Sequence, residues 1–333
     1  MDKCFTRRDW LLAAGSAALM PAVAAAADSD KRGAGKSLQG AFMILSTPYT
    51  ASKAVDYDDL AGEVDFLVRC GVQGLVWPQN ASEQSKLTKD ERIRGMDVIA
   101  RAAKGKSPAL VLGVQGNDTA EMLEYARHAE TLAPDAVIAI PPTKASSLDD
   151  YREYYRALCK TAKRPVFIQT SGGARDLVAS VDFIVELARE FPNFGYIKEE
   201  HDPVIPRMRE EIAHRPDPIK RVFCANRGAG FLYELRNGSD GTIIGGVPYA
   251  EVFAKLWNLQ QEKKFDEQRE IFSKLLLMLN LDDRVPGVRP YILKKRGIFT
   301  TTVTREAAHT LTPEAIAEIE YNFAGLKPYL MKG

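Results

Sequence analysis

The chain of 333 residues is poor in the side chains that most often build metal and disulfide centres, with 4 histidines and 4 cysteines. Its charges nearly cancel, 45 Lys+Arg against 44 Asp+Glu. No lysine–arginine block with interleaved aromatics breaks that balance, so nucleic acid and anionic membrane are excluded as principal partners. Cys70, Cys159 and Cys224 are too far apart for a zinc pattern or a disulfide framework and read as small core residues. The segment after the first strand candidate is "STPYTASK", without G-x-G-x-x-G, so the phosphate turn of an open dinucleotide-binding sheet is missing. No apolar run reaches the roughly 20 residues a membrane span requires. No internal repeat stands out.

What is present begins with "TRRDWLLAAGSAALMPAVAAAADSD". Paired Arg7 and Arg8, a short apolar stretch, and Ala25-Ala26-Ala27 before Asp28 follow the plan of a secretory signal. Trp10 and Leu11 behind the two arginines resemble a twin-arginine export signal, an address and not an anchor. The expectation is a cleaved signal at 1–27, a flexible linker at 28–37, and a folded protein exported to a periplasm-like compartment or secreted. Cys4 would leave with the signal, and the mature part contains no stable membrane anchor.

From residue 39 to 262, short β-rich runs alternate with helical periodicity. "GAFMILS", "GLVWP", "ALVLGV", "AVIAI", "PVFIQT", "FGYIK", "RVFCA" and "GTIIGG" are the strand candidates, apolar on both faces as strands covered on both sides should be. Amphipathic stretches such as "YDDLAGEVDFLVRCG", "DTAEMLEYARHAETL", "LDDYREYYRALCKTA" and "SVDFIVELAREF" lie between them. Thr88 with Glu91 forms an S/T-x-x-E box, and Asp118 or Thr119 opens another helix. This rhythm predicts an α/β fold, a (β/α)8 TIM barrel over 38–262. "FDEQREIFSKLLLMLNL" and "TPEAIAEIEYNFAGL" form a C-terminal helical segment within 263–333, placed to cover the barrel or to make a subunit contact.

"FGYIKEEHD" raises the chemical question. Alternation puts Phe194, Tyr196 and Lys198 on one face, which sets Lys198 at the C-terminal mouth, where barrel active sites lie. An ordinary lysine is only about one part in 2,500 neutral at pH 7. Burial lowers its pKa and makes it a Schiff-base former toward a carbonyl. The competing reading is a solvated lysine paired with Glu199 or Glu200.

The order of segments resembles the dihydrodipicolinate synthase / N-acetylneuraminate lyase family of class I aldolases. "YIKEE" is similar to its Schiff-base strand, and "GVQGLVWPQNASEQSKLTKDER" to its second-strand segment, keeping Glu83, Leu87, Thr88 and Glu91. "GAFMILSTPYT", "GVQGNDTAEMLEYARHAE" and "GSDGTIIGG" match further, over nearly the whole mature chain. The resemblance implies that Lys198 condenses with pyruvate or a related 2-keto acid. The covalent imine is then the electron sink, and no cofactor is required. It implies that Asn80-Ala81-Ser82 bind the keto-acid carboxylate through backbone N–H groups, with the Asn80 amide and Ser82 hydroxyl as added donors. It also implies a homo-oligomer, a dimer or tetramer.

Departures from the pattern are specific. Where the family has a proline followed by two tyrosines, whose phenol the resemblance implies to be the relay of protons to the imine intermediates, "AIPPTKASS" places Pro142 and Thr143. A threonine hydroxyl has no useful acidity near neutral pH, so Thr143 enters the relay only by holding a water. The usual hydroxyl pair has become Asn80 and Ala81. Tyr151, Tyr154 and Tyr155 fall at helical spacing and read as packing residues. Arg175 resembles, slightly displaced, an arginine that clamps a distal carboxylate. Asn226 and Arg227 are candidates for touching a polar substrate. Of His128, His201, His214 and His309, only His201 lies among ligand types, and it lacks a spaced second set. The expected activity is an exported Schiff-base lyase for pyruvate-type or sugar-derived 2-keto acids. An imine-using dehydratase or decarboxylase, or a non-catalytic binding protein for an acidic sugar or keto acid, stands as the alternative.

Overall fold

The computed structural model describes residues 35–306 and 309–331. The expected signal and all but the last three residues of the linker lie outside the described residues. Eight parallel strands, β1 (Gly40–Ile44), β2 (Gly74–Trp77), β3 (Ala109–Gly113), β4 (Ala136–Ala139), β5 (Val166–Gln169), β6 (Tyr196–Glu199), β7 (Arg221–Cys224) and β8 (Gly241–Ile244), pair in chain order. β8 closes on β1 with Gly241 opposite Gly40. A Cβ at Gly241 would meet the Gly40 carbonyl oxygen at 2.0 Å, so the seam closes only with glycine there. Every strand candidate in the sequence is a barrel strand.

The barrel is filled, not hollow. Phe42, Phe167 and Phe223 point inward with Val111, Ile138 and Ile243. Ring centroids lie 5.1 Å apart for Phe42–Phe223 and 5.6 Å for Phe167–Phe223. Fully burying a ring of this kind is worth roughly 1.5–3 kcal/mol, and these aromatics plug the floor beneath the C-terminal mouth. Tyr196 belongs to the same inner layer, its ring 5.3 Å from Phe167.

Phe194 departs from the expected alternation. It packs in the outer layer, 5.7 Å from the Tyr155 ring, because Gly195 has φ +98° and reverses the chain's facing before the strand starts. A Cβ on Gly195 would meet the Pro218 carbonyl oxygen at 2.4 Å. The strand proper begins at Tyr196, and its alternation keeps Tyr196 and Lys198 inward.

Between the strands run α1 (Tyr57–Arg69), α2 (Lys89–Ala103), α3 (Thr119–Leu132), α4 (Leu148–Thr161), α5 (Val181–Glu190), α6 (Val204–Ala213), α7 (Phe231–Arg236) and α8 (Ala250–Gln261). The starts of α1 to α5 follow side-chain caps. Thr88 Oγ1 accepts from the Glu91 N–H at 3.2 Å while the Glu91 carboxylate accepts from the Thr88 N–H at 2.9 Å. Asp118 Oδ1 accepts from the Glu121 N–H at 3.0 Å. Tyr151, Tyr154 and Tyr155 are buried packing residues of α4. Cys70, Cys159 and Cys224 are buried and unbridged. No helix among the described residues is long and apolar enough to cross a membrane.

The tail contains α9 (Phe265–Arg284), α10 (Val288–Lys295) and α11 (Pro313–Ala324). α10 was not expected, since "VPGVRPYILKK" carries two prolines and a glycine. After it the chain returns across the barrel mouth as a strap. Thr300 donates to Asp59 Oδ2 through its N–H (2.7 Å) and its hydroxyl (3.0 Å). Arg305 makes a two-pronged pair with Glu91 at 2.7 and 2.5 Å and donates to the Lys86 carbonyl oxygen at 2.9 Å. Glu83, held in the left-handed region at φ 54°, accepts from the N–H groups of Arg305 (3.3 Å) and Glu306 (3.0 Å). The tail therefore covers the mouth.

Candidate active site

The pairing register of β5 and β6 sets the centre of the site. Gln169 lies opposite Lys198, and both follow an inward aromatic by two residues, Phe167 and Tyr196. Alternation then brings both side chains to the mouth. Lys198 is only 3 % exposed. Its Nζ donates to Gln169 Oε1 at 2.9 Å and lies 3.1 Å from Glu200 Oε1. The amine is neither in bulk solvent nor buried without partners. It sits on the wall of a cavity of about 690 Å³ that opens at the C-terminal end of the barrel.

Glu200 is fixed on three sides. Its other carboxylate oxygen accepts from Ser171 Oγ at 2.7 Å, and its N–H donates to Thr170 Oγ1 at 2.9 Å. Glu199 points the other way, and its carboxylate accepts from Thr170 Oγ1 (2.6 Å), the His201 N–H (2.6 Å) and Arg207 Nε (3.1 Å). The carboxylates of Glu199 and Glu200 thus serve different partners. Among the described residues no group of three or more His, Cys, Asp or Glu side chains is gathered as a metal site.

The loop after β2 enters the cavity at Asn80 and Ala81. Both lie in the single 3-10 turn Asn80–Ser82, where the first N–H groups have no acceptor within the turn. Ser82 is different. Its hydroxyl donates to the Leu45 carbonyl oxygen at 2.6 Å and accepts from the Gln79 N–H at 3.1 Å, and its own N–H donates to Gln79 at 2.8 Å. Ser82 is buried and absent from the cavity wall; it holds the turn, and its donors are already committed. That corrects its expected role as a ligand.

Two further expected residues do not reach the amine. Thr143 is exposed, its hydroxyl donating to Asn117 Oδ1 at 2.8 Å, and it does not line the cavity. Arg175 is exposed on the β5–α5 loop, also off the cavity wall. The arginines facing the cavity are Arg227, paired with Asp283, and Arg289, which donates to Asp282 Oδ2 at 2.7 Å. Asp282 beside it holds the Arg289 guanidinium above its ordinary pKa. Below the rim, Glu63 is fully buried and accepts from the Ser46 N–H at 3.0 Å, and burial pushes its carboxyl well above the usual range. Gln169, Ser171 and Glu200 were not expected as a group. The alternation that exposed Lys198 would also have exposed Gln169, but the contact of Glu200 and Ser171 needs the strand register.

A buried amine at the end of β6, a hydrogen-bonding turn after β2 and a closed barrel can be set beside known proteins. The sequence model of the dihydrodipicolinate synthetase family matches residues 37–306. The chain belongs to that family. Its members are lyases that work through a lysine Schiff base without a cofactor. Among curated relatives, the 4-hydroxy-tetrahydrodipicolinate synthase of Parabacteroides distasonis is 25 % identical over 259 residues, 76 % of this chain and 86 % of that one. The L-2-keto-3-deoxyarabonate dehydratase of Azospirillum brasilense is 22 % identical over 300 residues, covering 88 % and 96 %. Of solved structures, the chloride-inhibited dihydrodipicolinate synthase of Acinetobacter baumannii, complexed with pyruvate, superposes with TM-score 0.78 at 19 % identity, covering 87 % of this chain and 99 % of that one.

Proposed function

We propose that this family member is a Schiff-base lyase for a 2-keto acid, with Lys198 as the imine former. The observation that carries the reading is the placement of its amine, 3 % exposed, on the wall of a cavity at the barrel mouth. In that frame the keto carbon sits beside Nζ and the carboxylate faces the N–H groups of Asn80 and Ala81. The carboxamide of Gln169 orients the amine through its acceptor oxygen. Thr143 and Arg175 have no part in this arrangement, and Ser82 contributes only by holding the turn.

The distal part of the cavity favours a sugar-derived keto acid over a second carboxylate. Its arginines are already neutralised by Asp282 and Asp283, and such pairs offer donors and acceptors to hydroxyls. The volume of about 690 Å³ also exceeds what pyruvate alone would fill. The similarity to a keto-deoxy-sugar dehydratase over 96 % of that protein's length supports dehydration as the variant of the reaction to test first.

Borohydride reduction in the presence of pyruvate or 2-keto-3-deoxy sugar acids, followed by peptide mass spectrometry, tests the proposal. The expected result is an adduct on the Lys198 peptide, absent from Lys198→Ala. No adduct with any of these acids would refute it and favour a binding protein. Export to the periplasm through the N-terminal signal, and assembly into dimers or tetramers, belong to the same proposal. Their support is the sequence at 7–27 and the family resemblance. Cell fractionation and sedimentation check them.

A further inference from the structure

We infer that Glu200 is the proton carrier of this site, performing from the end of β6 the task that the family resemblance assigns to a phenol after β4. The inference rests on Lys198 being the imine former. Glu200 Oε1 lies 3.1 Å from the amine, and Glu200 lines the cavity that the substrate would enter. The Ser171 hydroxyl at 2.7 Å and the backbone bond to Thr170 at 2.9 Å fix the carboxylate in place. On the other side of the amine, Gln169 supplies an oxygen that accepts a hydrogen bond but cannot take a proton at neutral pH. The neighbouring acid Glu199 is turned away onto Arg207. Elsewhere on the cavity wall, Glu83 accepts from the strap backbone, Asp282 and Asp283 are paired with arginines, Glu306 and His309 stand exposed, and burial pushes the Tyr249 phenol well above its ordinary pKa. Thr143, at the expected place of the phenol, is bonded to Asn117 outside the cavity.

The protons balance through one carboxylate. The ammonium gives a proton to Glu200, and the neutral amine attacks the keto carbon, forming the C–N bond as the carbonyl π pair moves to oxygen. Two of the three ammonium protons pass in turn through Glu200 to that oxygen, which leaves as water. The third stays on the protonated imine. Glu200 is then ionised again beside the imine. It removes a proton from C3, whose C–H electrons form the enamine double bond as the iminium π pair returns to nitrogen. In the reverse direction it gives that proton back.

The test uses the mature chain with excess pyruvate in D2O, following C3 deuterium incorporation by NMR and the Lys198 adduct by borohydride trapping. The quantity read is exchange rate per trapped adduct. Positioned acid–base groups typically contribute about 10²–10⁴-fold. Glu200→Gln is expected to reach an adduct on long incubation yet to lose at least about a hundredfold in exchange per adduct. Glu200→Asp should restore part of it. Trapped adduct in Glu200→Gln also shows that the variant is folded. Exchange per adduct in Glu200→Gln within threefold of the wild type would overturn the role of Glu200 while leaving the imine intact. An ion pair that only positions the amine would slow adduct formation and leave exchange per adduct unchanged. Wild-type protein forming no adduct with pyruvate or with a 2-keto-3-deoxy sugar acid would overturn the imine reading, and Glu200 with it.

Discussion

Glu211 on α6 shows how one buried carboxyl can work against the fold. It is fully buried beside the Glu199 carboxylate, and burial, with that charge and a side-chain contact to it, pushes its pKa well above the usual range. A raised carboxyl pKa means that the native state holds a proton the unfolded chain releases, so stability falls as pH rises above about 4.5. Glu211→Gln keeps the shape and the donor without the ionisation. It is expected to raise stability by roughly 1 kcal/mol or more at pH 8, with the gain vanishing toward pH 4 in denaturant melts. At the same scale, the sequence made Lys198 visible because an inward lysine ending an apolar strand breaks its pattern. Glu200 was visible only as a neighbour, since a carboxylate one residue past a strand end looks like any solvated loop acid.

The elements were legible in proportion to how local their causes are. Strand runs, helix periodicity and the Thr88–Glu91 box depend on residues a few positions apart, and all of them appear in the fold. Phe194 was misplaced because Gly195 inverts the chain, and its need for φ +98° comes from Pro218, more than twenty positions on. The strap was not legible at all. Its anchor, Arg305, lies 214 residues from Glu91 in sequence. Arg305 holds the Glu91 carboxyl down at about 2, the bidentate pair being the largest cause. With its folded pKa depressed, the Glu91 contribution is present above the unfolded value of about 4.5 and is lost as pH falls toward 2. Arg305→Ala should cost about 1.5–3 kcal/mol, the range for bonds to charged groups. Differential scanning calorimetry at pH 7 and pH 3 checks this, with the difference between variant and wild type shrinking at pH 3.

At the scale of the whole molecule, a barrel with an aromatic floor leaves an opening at its C-terminal mouth, and residues within 299–306 of the strap line it. The resemblance named Lys198 and the Asn80–Ala81 turn, which both line the cavity, but three side chains it nominated are spent elsewhere. Ser82 holds the turn, Thr143 bonds Asn117, and Arg175 stands clear of the cavity. A shared fold fixes where chemistry happens, and the side chains lining the opening decide how it proceeds. The most direct test is a crystal structure of the mature chain soaked with pyruvate. Continuous density from Lys198 Nζ to the keto carbon, with the carboxylate on the Asn80 and Ala81 N–H groups, is the predicted result. Pyruvate lying free in the cavity, with Nζ still bonded to Gln169 and Glu200, would contradict it.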